Sequence, residues 1–454
     1  MVSEDYYKPY YTKIFALFYL VQGFVQGIPT LIFPVYIAEL LGAQYDITLI
    51  ASMTFWGTLP WSIKMIIGVF NDKWGSPKYG RRFPFIATFG CFGALWWFIM
   101  AIYLPSDSSI YLFMTLYYFM TALGMGFADT AIDGLILDIT PKENLARVQG
   151  FTWTCLLLGM GVGAMVFGYL FLALNIIPVL FVMTGILTVI VSLLPRLIDE
   201  PPLKKITAQD LGKDMLSLVT KKANWKLFIN TFTASFSGVV IATFLGYVIL
   251  STIGIISVED TLLSISTGAT IDLLGWSTIF YLSQGTGTIL GSLVSGRFSD
   301  KDRRKTALIA YYVYIPLILF TIVPFVLTNA FLPAIIIGIF LQVALGFIQA
   351  WLLISGSTIR GDIAKKEYPD LKSTYYSILI SFWNFGQSFG SLAGGTWLFS
   401  YLAITTLTFN AMYFILCTLC STVMFVSFML FRIIDPKLYE FETGSSKEKD
   451  TFFT

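Results

Sequence analysis

Apolar runs, each long enough to cross a lipid bilayer, follow one another along almost the whole chain. A membrane-spanning helix needs about 20 apolar residues. The sequence contains twelve such runs, at 14–38, 47–70, 83–104, 110–139, 148–173, 176–195, 226–254, 274–297, 306–328, 331–359, 374–401 and 403–432. A bilayer offers the backbone no hydrogen-bond partners, so runs of this length cross it as helices. The sequence therefore predicts an all-α, polytopic membrane protein with twelve transmembrane helices.

The composition agrees with this class and argues against several others. Of the 454 residues, 56% are hydrophobic and 12% are charged, whereas a soluble domain carries about twice that charged fraction. The formal net charge of +2 gives little attraction for nucleic acid, so none is expected as a partner. The chain has no Asn-x-Ser/Thr sequon, which favours a prokaryotic source and hence the plasma (inner) membrane. We expect a monomer whose partners are the lipid bilayer, a small-molecule substrate and protons.

The side chains that usually perform metal and acid–base chemistry are scarce. The chain has no histidine, which removes the usual proton shuttle and the usual transition-metal ligand. Its four cysteines, Cys91, Cys155, Cys417 and Cys420, all lie within apolar runs. Small packing residues are expected there rather than a redox or metal site. We expect no metal, no cofactor and no enzymatic activity.

The basic residues fall almost entirely on one side of the predicted membrane. All but one of the 29 lysines and arginines lie before the first run, in the central gap, after the last run or in every second loop. The other loops carry acidic charges: Glu39, Asp46, Asp107, Glu259, Asp260 and Asp272. Cytoplasmic loops are enriched in lysine and arginine, so both the N and C termini are predicted to be cytoplasmic. The remaining basic residue, Lys64, lies inside the second run.

Two landmarks recur at nearly the same interval, which indicates an internal duplication. The loop after run 2 reads GVFNDKWGSPKYGRR and the loop after run 8 reads GRFSDKDRRK, so that Gly68 corresponds to Gly296, 228 residues further on. Run 4 ends in DITPKE and run 10 ends in DIAKKE, at an interval of 224 residues. A repeat of this length predicts two six-helix bundles. We expect an N-terminal bundle at 1–195, a cytoplasmic linker at 196–225, a C-terminal bundle at 226–434 and a cytoplasmic tail at 435–454.

A parallel duplication of six spans, with G-x-x-x-D-[RK] after spans 2 and 8, resembles the major facilitator superfamily. The resemblance implies the major facilitator fold and secondary transport by alternating access of the two halves. In that family the loop aspartates and basic residues hold one face closed. The resemblance therefore implies gating roles for Asp72, Arg81, Arg82, Asp138, Asp300, Arg303, Arg304 and Asp362. The alternative is that these charges only set the topology.

Shorter matches are similar to the peptide/acetyl-CoA/drug transporter group, which includes the AmpG muropeptide permeases and the acetyl-CoA transporters. Residues 60–64 read PWSIK and match the group's P-[FW]-S-[LI]-K block. Asp129, Asp133 and Gly134 match its Q-D-x-x-x-D-[GA]-W block. The folate–biopterin transporters, which share a P-W-x-I-K block, are the second choice.

Three charged residues lie inside predicted helices: Lys64 in run 2, and Asp129 and Asp133 in run 4. From the helical rise per residue, Asp133 lies roughly 7 Å, Lys64 roughly 12 Å and Asp129 roughly 13 Å from the same membrane face. Such groups turn inward and pair. Two carboxylates and one lysine leave one negative charge unmatched, so one carboxyl group is expected to hold a proton. We expect Asp133 to pair with Lys64 and Asp129 to carry the coupled proton; the alternative is a purely structural ion pair.

Neutral amides lie within several other predicted helices. Two of them share one face of run 1, above a kink expected at Pro29. Others lie in runs 10 and 11, in a half of the chain with no clear charge near the midplane. Such amides bind a polar solute or bridge helices, and the pattern does not separate the two. The candidate substrate-binding residues are Lys64, Gln22, Gln26, Gln349, Asn384 and Gln387.

The function predicted from these features is secondary active transport of a small polar solute, anionic or zwitterionic, with proton coupling. One alternative is a folate- or pterin-type or other major facilitator transporter without proton coupling. Another is a transporter-like sensor or scaffold. An intramembrane aspartyl protease would need catalytic aspartates on two helices, whereas Asp129 and Asp133 lie on one.

Overall fold

The structure is a computed structural model that describes residues 7–41, 47–76, 78–200, 216, 218, 220–252, 269–327, 330–398 and 407–439. These residues are almost entirely helical and contain no β-strand. The N-terminal helices are α1 (Pro9–Gly27), α2 (Phe33–Leu41), α3 (Ile47–Ile63), α4 (Met65–Lys73), α5 (Phe83–Ile102), α6 (Ile110–Ile139), α7 (Lys142–Gly159), α8 (Tyr169–Ala173) and α9 (Ile177–Leu193). The C-terminal helices are α10 (Lys222–Thr252), α11 (Ala269–Lys301), α12 (Arg303–Phe320), α13 (Val323–Leu327), α14 (Phe331–Glu367), α15 (Lys372–Gly390) and α16 (Phe409–Arg432).

Shorter helical segments of other types extend or join these helices. π-Helical segments occupy Ile28–Ile32, Met160–Gly168 and Ser391–Leu398. Two 3₁₀ turns occupy Leu194–Leu197 and Pro436–Leu438.

Seven of the described helices are long and apolar enough to cross a membrane. They are Pro9–Leu41, Phe83–Ile102, Ile110–Ile139, Ile177–Leu197, Lys222–Thr252, Phe331–Glu367 and Asn410–Arg432. The run predicted at 110–139 coincides with α6. The helical, membrane-spanning character is thus confirmed, while the number of twelve crossings stays a prediction.

Two prolines accompany irregular turns in the first two predicted spans. Pro29 lies in the π-helical segment between α1 and α2, where the sequence predicts a kink. The second span is broken at Lys64, between the end of α3 and the start of α4. Pro60 lies one turn before this break, and a proline inside a helix removes a backbone hydrogen bond and bends the axis. The break places the Lys64 side chain at the junction of two helices.

The tenth predicted run continues beyond its apolar part. The apolar run ends at residue 359, whereas the helix α14 extends to Glu367. Arg360, which the charge pattern assigns to a loop, therefore lies in a helix and is buried, as is Asp362. The placement of Arg360 in a loop is therefore wrong, whereas the expectation that this half has no clear charge near the midplane stays a prediction. A hydropathy profile ends at the first charges, so it misses helical turns whose charged residues face other protein surfaces.

The N-terminal and C-terminal helices meet at two crossings. Helix α7 packs against α11 and α14, and α15 packs against α3, α4 and α6. We call the end of the molecule that carries residues 72–82, 138–147, 300–305 and 360–374 the basic end. Ion pairs and hydrogen bonds at this end join the two groups of helices.

The start of α1 is attached to the end of the N-terminal helices. The Lys8 Nζ atom lies 2.7 Å from the Asp199 Oδ2 atom, and the Tyr11 hydroxyl donates to the same oxygen at 3.0 Å. Hydrogen bonds from Lys8 and Tyr11, together with the lysine charge, hold the pKa of Asp199 below its ordinary value. Lys8 and Asp199 are largely exposed, so this pair adds little to stability.

Glycine permits the close packing of α1 against α7. A Cβ atom added at Gly159 would lie 1.9 Å from the Leu20 carbonyl oxygen. One added at Gly23 would lie 2.1 Å from the Leu156 carbonyl oxygen. Small residues commonly allow membrane helices to approach in this way. By contrast, a Cβ atom at Gly161 would have nothing within 4 Å.

We expect Gly159→Ala to lower the unfolding temperature and Gly161→Ala to leave it nearly unchanged. The added methyl group at position 159 must push backbone atoms apart, and overpacking of this kind typically costs about 1–3 kcal/mol. Thermal unfolding of the two purified variants beside the unsubstituted protein measures the difference. Equal shifts for both variants would contradict close packing of α1 and α7 at Gly159.

Candidate functional site

A buried lysine and two carboxylates form the centre of the candidate site. The Lys64 Nζ atom lies 2.5 Å from the Asp129 Oδ2 atom and 3.4 Å from the Asp133 Oδ2 atom. The Tyr19 hydroxyl donates to the other oxygen of Asp133 at 2.7 Å. All four side chains are buried. We call these four residues the carboxylate cluster.

Local helix geometry brings the cluster together. Asp129 and Asp133 are four residues apart in α6, so both side chains lie on one face of that helix. Lys64 reaches them from the break between α3 and α4. Gly126, one turn before Asp129, faces the Trp61 ring, and an added Cβ atom there would lie 3.5 Å from it, an ordinary van der Waals distance. The break thus brings the Lys64 side chain to the face of α6 that carries both aspartates.

The pairing within the cluster differs from the sequence-based expectation. Asp133 was expected to be the partner of Lys64, but the shorter contact goes to Asp129, and both carboxylates lie within ion-pair distance. The sequence gives only the depth of each residue along its helix. Depth indicates how far a residue lies from the membrane face, but it does not indicate which of two aspartates lies nearer to Lys64. Asp133 is instead the carboxylate that shares its charge between Lys64 and the Tyr19 hydroxyl.

Side chains of α15, in the C-terminal helices, lie beside the cluster. Tyr376 is buried and lies close enough to both carboxylates of the cluster to interact with them electrostatically. Its hydroxyl accepts a hydrogen bond from the Gln149 Nε2 atom at 3.1 Å. About two turns further along α15, the Asn384 Nδ2 atom donates to the Trp61 carbonyl oxygen at 2.9 Å. The cluster therefore lies beside the contact surface between the two groups of helices.

Sequence reasoning missed both tyrosines of this site. Tyr19 lies three residues before Gln22 on one face of α1, so the helical period that selected the glutamines could have found it. Tyr376 belongs to a helix more than 200 residues away in the chain from the aspartates, and no local pattern signals its position.

The predicted substrate-binding amides are not gathered at one point. Gln22 is buried, and its Oε1 atom has no hydrogen-bond partner among the described residues. Gln26 and Gln387 are half-buried. Gln349 bridges helices, because its Nε2 atom donates to the Gly238 carbonyl oxygen at 2.9 Å while its Oε1 atom accepts from the Gln284 Nε2 atom at 3.2 Å.

At the basic end, the first G-x-x-x-D copy contacts the start of α15. A Cβ atom added at Gly68 would lie 2.9 Å from the Thr374 Cα atom. Four residues later on the same helix face, the Asp72 Oδ2 atom accepts from the Thr374 backbone N–H at 2.7 Å and from its hydroxyl at 2.8 Å. The glycine permits the approach, and the aspartate binds the helix start that it reaches.

The second copy makes the corresponding contact with α7. A Cβ atom added at Gly296 would lie 2.9 Å from the Ala146 carbonyl oxygen. The two carboxylate oxygens of Asp300 accept from the backbone N–H groups of Ala146, at 3.1 Å, and Arg147, at 3.2 Å. Each copy thus joins one group of helices to the other by the same combination of glycine and aspartate.

An arginine links each motif aspartate to a second aspartate. Arg82 is fully buried and lies 2.8 Å from both Asp72 and Asp138. Arg81 also lies 2.8 Å from Asp138. The resemblance implies gating roles for these two arginines, and in the structure both bind aspartates of the N-terminal helices. Asp138 makes the crossing contact, because its Oδ1 atom lies 2.7 Å from the Lys372 Nζ atom.

The corresponding arginine of the second copy is Arg303. It lies 3.3 Å from Asp300 and 2.9 Å from Asp362, and it donates to the Lys142 carbonyl oxygen of the other group of helices at 2.7 Å. Among the described residues, Arg304 makes no contact that joins the two groups. Its guanidinium donates to the Tyr439 hydroxyl at 2.9 Å, within the C-terminal part of the chain. In that part of the chain, the gating role expected of Arg304 has no crossing contact to support it.

Comparisons with known proteins agree with this architecture. The model of the Major Facilitator Superfamily matches residues 15–255 and 227–453. A folate-biopterin transporter of Synechocystis sp. is 27% identical over 139 residues, a match that covers 30% of this chain and 26% of that relative. The aligned part is thus about a quarter of the relative's length.

Two solved structures resemble the whole chain. The crystal structure of the fucose:proton symporter FucP of E. coli has a TM-score of 0.66 at 13% identity, and the match covers 94% of this chain and 99% of that one. The proton:xylose symporter XylE, solved with 6-bromo-6-deoxy-D-glucose, has a TM-score of 0.64 at 13% identity, over 94% of this chain and 97% of its own. At such identity the likeness shows the fold alone. The duplicated motif, the helical fold and the family match lead to one conclusion: the chain belongs to the Major Facilitator Superfamily and is an integral, multi-pass membrane protein.

Proposed function

We propose that this protein is a secondary active transporter that moves a small polar solute, anionic or zwitterionic, by alternating access. Transport of the solute is coupled to protons, either by antiport or by symport. In this proposal twelve helices form two six-helix bundles, residues 1–195 and 226–434, with both termini cytoplasmic. The basic end is then the cytoplasmic end. The two bundles rotate against each other about the carboxylate cluster and the candidate substrate-binding amides. No nucleotide is consumed.

The excess carboxylate of the cluster is the observation that carries this proposal. Lys64 can neutralise only one of the two aspartates that it contacts. An isolated carboxylate at such a position costs about 2.5–3.5 kcal/mol on the lenient insertion scale. Binding one proton removes that charge, so the cluster is a proton-binding site. Asp133 is the better candidate for the protonated group, because Lys64 lies nearer to Asp129.

The position of the cluster couples this proton to the movement of the two bundles. Tyr376, which interacts electrostatically with both aspartates, and Asn384, which binds the Trp61 carbonyl oxygen, belong to α15 of the other bundle. Separation of the bundles at the basic end would uncover Asp133 and admit water on that side. The proton could then leave to one side of the membrane after being taken up from the other.

The two G-x-x-x-D contacts form the latch that holds the basic end closed. Asp72 binds the start of α15 and Asp300 binds the start of α7, each across the contact surface between the bundles. Hydrogen bonds to a charged group are stronger than neutral ones, with a net value of about 1.5–3 kcal/mol. The contact of Asp138 with Lys372 adds an ion pair across the same surface.

The substrate class is inferred from the groups that remain available near the cluster. Gln22 has an acceptor oxygen without a partner among the described residues, and it lies on the α1 face that carries Tyr19. Lys64 adds a positive charge that an anionic or zwitterionic solute can contact once one carboxyl group of the cluster holds a proton. The match to a folate-biopterin transporter favours a folate or pterin as a second, more specific candidate.

Uptake into vesicles tests the proposal. Purified protein is reconstituted, and a panel of folates, pterins, sugars, peptides and coenzyme A esters is offered with and without an imposed pH gradient. We expect at least one solute to accumulate in a manner that depends on the gradient. A panel of this breadth without any uptake would instead favour a transporter-like sensor.

We expect Asp133→Asn to abolish pH-driven accumulation while sparing solute exchange. The variant removes the excess carboxylate but leaves Lys64 and Asp129 paired, so the protein should fold with an almost unchanged unfolding temperature. Exchange requires the bundles to reorient with solute bound, without net proton release. Counterflow and pH-driven uptake of the same preparation measure the two activities, and full accumulation would end the assignment of Asp133 as proton carrier.

Neutralising both aspartates should have a different consequence, namely loss of folding. Asp129→Asn combined with Asp133→Asn leaves Lys64 as a buried cation without a partner, which costs about 3–5 kcal/mol. Adding Lys64→Met should restore the yield and the unfolding temperature. A stable double variant without this rescue would contradict the ion pairs described here.

We expect Asp72→Asn and Asp300→Asn to open the basic end more often. Each substitution weakens a charged acceptor at the start of a helix in the other bundle. Labelling of Thr358→Cys, a position buried between the bundles, should therefore become faster from the cytoplasmic side in a background without native cysteines.

Asp302→Asn is the matched control for this experiment. Asp302 lies two residues from Asp300 but caps its own helix, accepting from the Lys305 backbone N–H at 2.9 Å. It should leave the labelling rate unchanged. If the two motif variants also label at the unsubstituted rate, these aspartates set the topology and do not form a latch.

A further inference from the structure

Arg360 is a buried cation without a carboxylate partner. It lies in α14 with 4% of its surface exposed, and among the described residues no carboxylate oxygen lies within 4 Å of its guanidinium. Its Nη2 atom donates to the Ser357 hydroxyl at 3.0 Å. Its Nε atom is buried and has no acceptor in the described part of the chain.

Other buried cations of this protein are neutralised in a different way. Lys64 and Arg82 each lie within ion-pair distance of two carboxylates. Arg360 has an aromatic neighbour instead, since its guanidinium carbon lies 5.1 Å from the centre of the Trp383 ring. A cation–π contact is worth about 2 kcal/mol when desolvated, which is less than the several kcal/mol needed to bury an ion. The charge of Arg360 is therefore only partly compensated.

The guanidinium faces a cavity inside the C-terminal helices. The cavity is bounded by α10, α12, α14, α15 and α16 and has room for one particle about the size of a water molecule or slightly larger. Asn230 and Tyr311 contribute polar groups to its wall, and the rest is mostly apolar. The Tyr311 hydroxyl accepts from the Asn230 Nδ2 atom at 3.0 Å and lies 3.1 Å from the Ser427 hydroxyl, which itself donates to the Asn230 carbonyl oxygen at 3.1 Å.

We propose that Arg360 is the binding group of a small-anion site in this cavity. The guanidinium supplies the charge and an Nε–H donor that has no acceptor among the described residues, and Asn230 and Tyr311 make that part of the wall polar. One negative charge suffices to neutralise the arginine, and the space admits a monatomic anion or a single carboxylate oxygen. A sulfate or phosphate ion is too large and carries more charge than the site can balance.

Two sources share this chemistry. The anion is either inorganic chloride, bound as a permanent counterion, or the carboxylate of a transported solute that reaches Arg360 when the basic end opens. Ser357, which holds the guanidinium, lies close to Tyr376 at the contact surface between the bundles. The site does not depend on the transport proposal, because anion binding is measurable without transport.

Thermal unfolding of the full-length protein in detergent provides the test. Gluconate, which is too large for the cavity, is replaced stepwise by chloride or by formate at constant ionic strength. We expect the unfolding temperature to rise and saturate with one or both small anions, since a ligand that binds the folded state stabilises it by mass action. Arg360→Gln should remove the rise.

Arg432→Gln is the matched control. Arg432 also stacks on an aromatic ring, with its guanidinium carbon 5.8 Å from the Phe428 centre, but it lies exposed at the end of α16. This variant should keep the full anion response. If Arg360→Gln cannot be purified, Arg360→Lys keeps the charge without the planar donors and should need a higher anion concentration.

The outcomes distinguish inorganic chloride from a solute carboxylate as the bound anion, and they can also contradict the proposed anion site. A saturable response to chloride assigns an inorganic counterion, and a response to formate alone assigns a solute carboxylate. No saturable response of the unsubstituted protein to either anion would overturn the proposal. An equal response of Arg360→Gln and the unsubstituted protein would overturn it as well.

Discussion

One lysine shared by two carboxylates is the constraint on which this account depends. A bilayer does not tolerate an unbalanced charge, so the cluster must either take up a proton or contact groups that replace water. Tyr19 donates to Asp133 from within the N-terminal helices, while Tyr376 approaches from the C-terminal helices. The electrostatics of the cluster therefore change when the two groups of helices separate. A proton site of this kind can respond to the same movement that would carry a solute across the membrane.

The two copies of the G-x-x-x-D motif join the two groups of helices at the basic end. In each copy the glycine lets one helix approach the backbone of another, and the aspartate one turn later binds the N–H groups found there. In each copy an arginine, Arg82 or Arg303, contacts the motif aspartate together with a second aspartate, Asp138 or Asp362. The contact is strong yet involves few residues, which suits a closure that must break and re-form.

Much of the fold could be predicted from the sequence, because the length of each apolar run indicates whether it forms a membrane-spanning helix. The run at 110–139 coincides with α6, and the duplicated motifs make equivalent contacts. Depth along the helices also brought Lys64 to the level of the aspartates. Pairing within the cluster and the approach of Tyr376 could not be predicted, since they depend on how separate helices are oriented. Arg360 was placed in a loop because hydropathy cannot separate charges in water from charges enclosed by other helices.

The central claim is that the cluster holds one proton while the basic end is closed. Infrared spectroscopy detects the carbonyl stretch of a protonated carboxyl group in an apolar environment, at a frequency distinct from that of a carboxylate. We predict one such band near neutral pH, lost in Asp133→Asn and retained in Asp107→Asn, whose side chain lies in an exposed loop. The absence of the band from the unsubstituted protein, or its persistence in Asp133→Asn, would contradict the account.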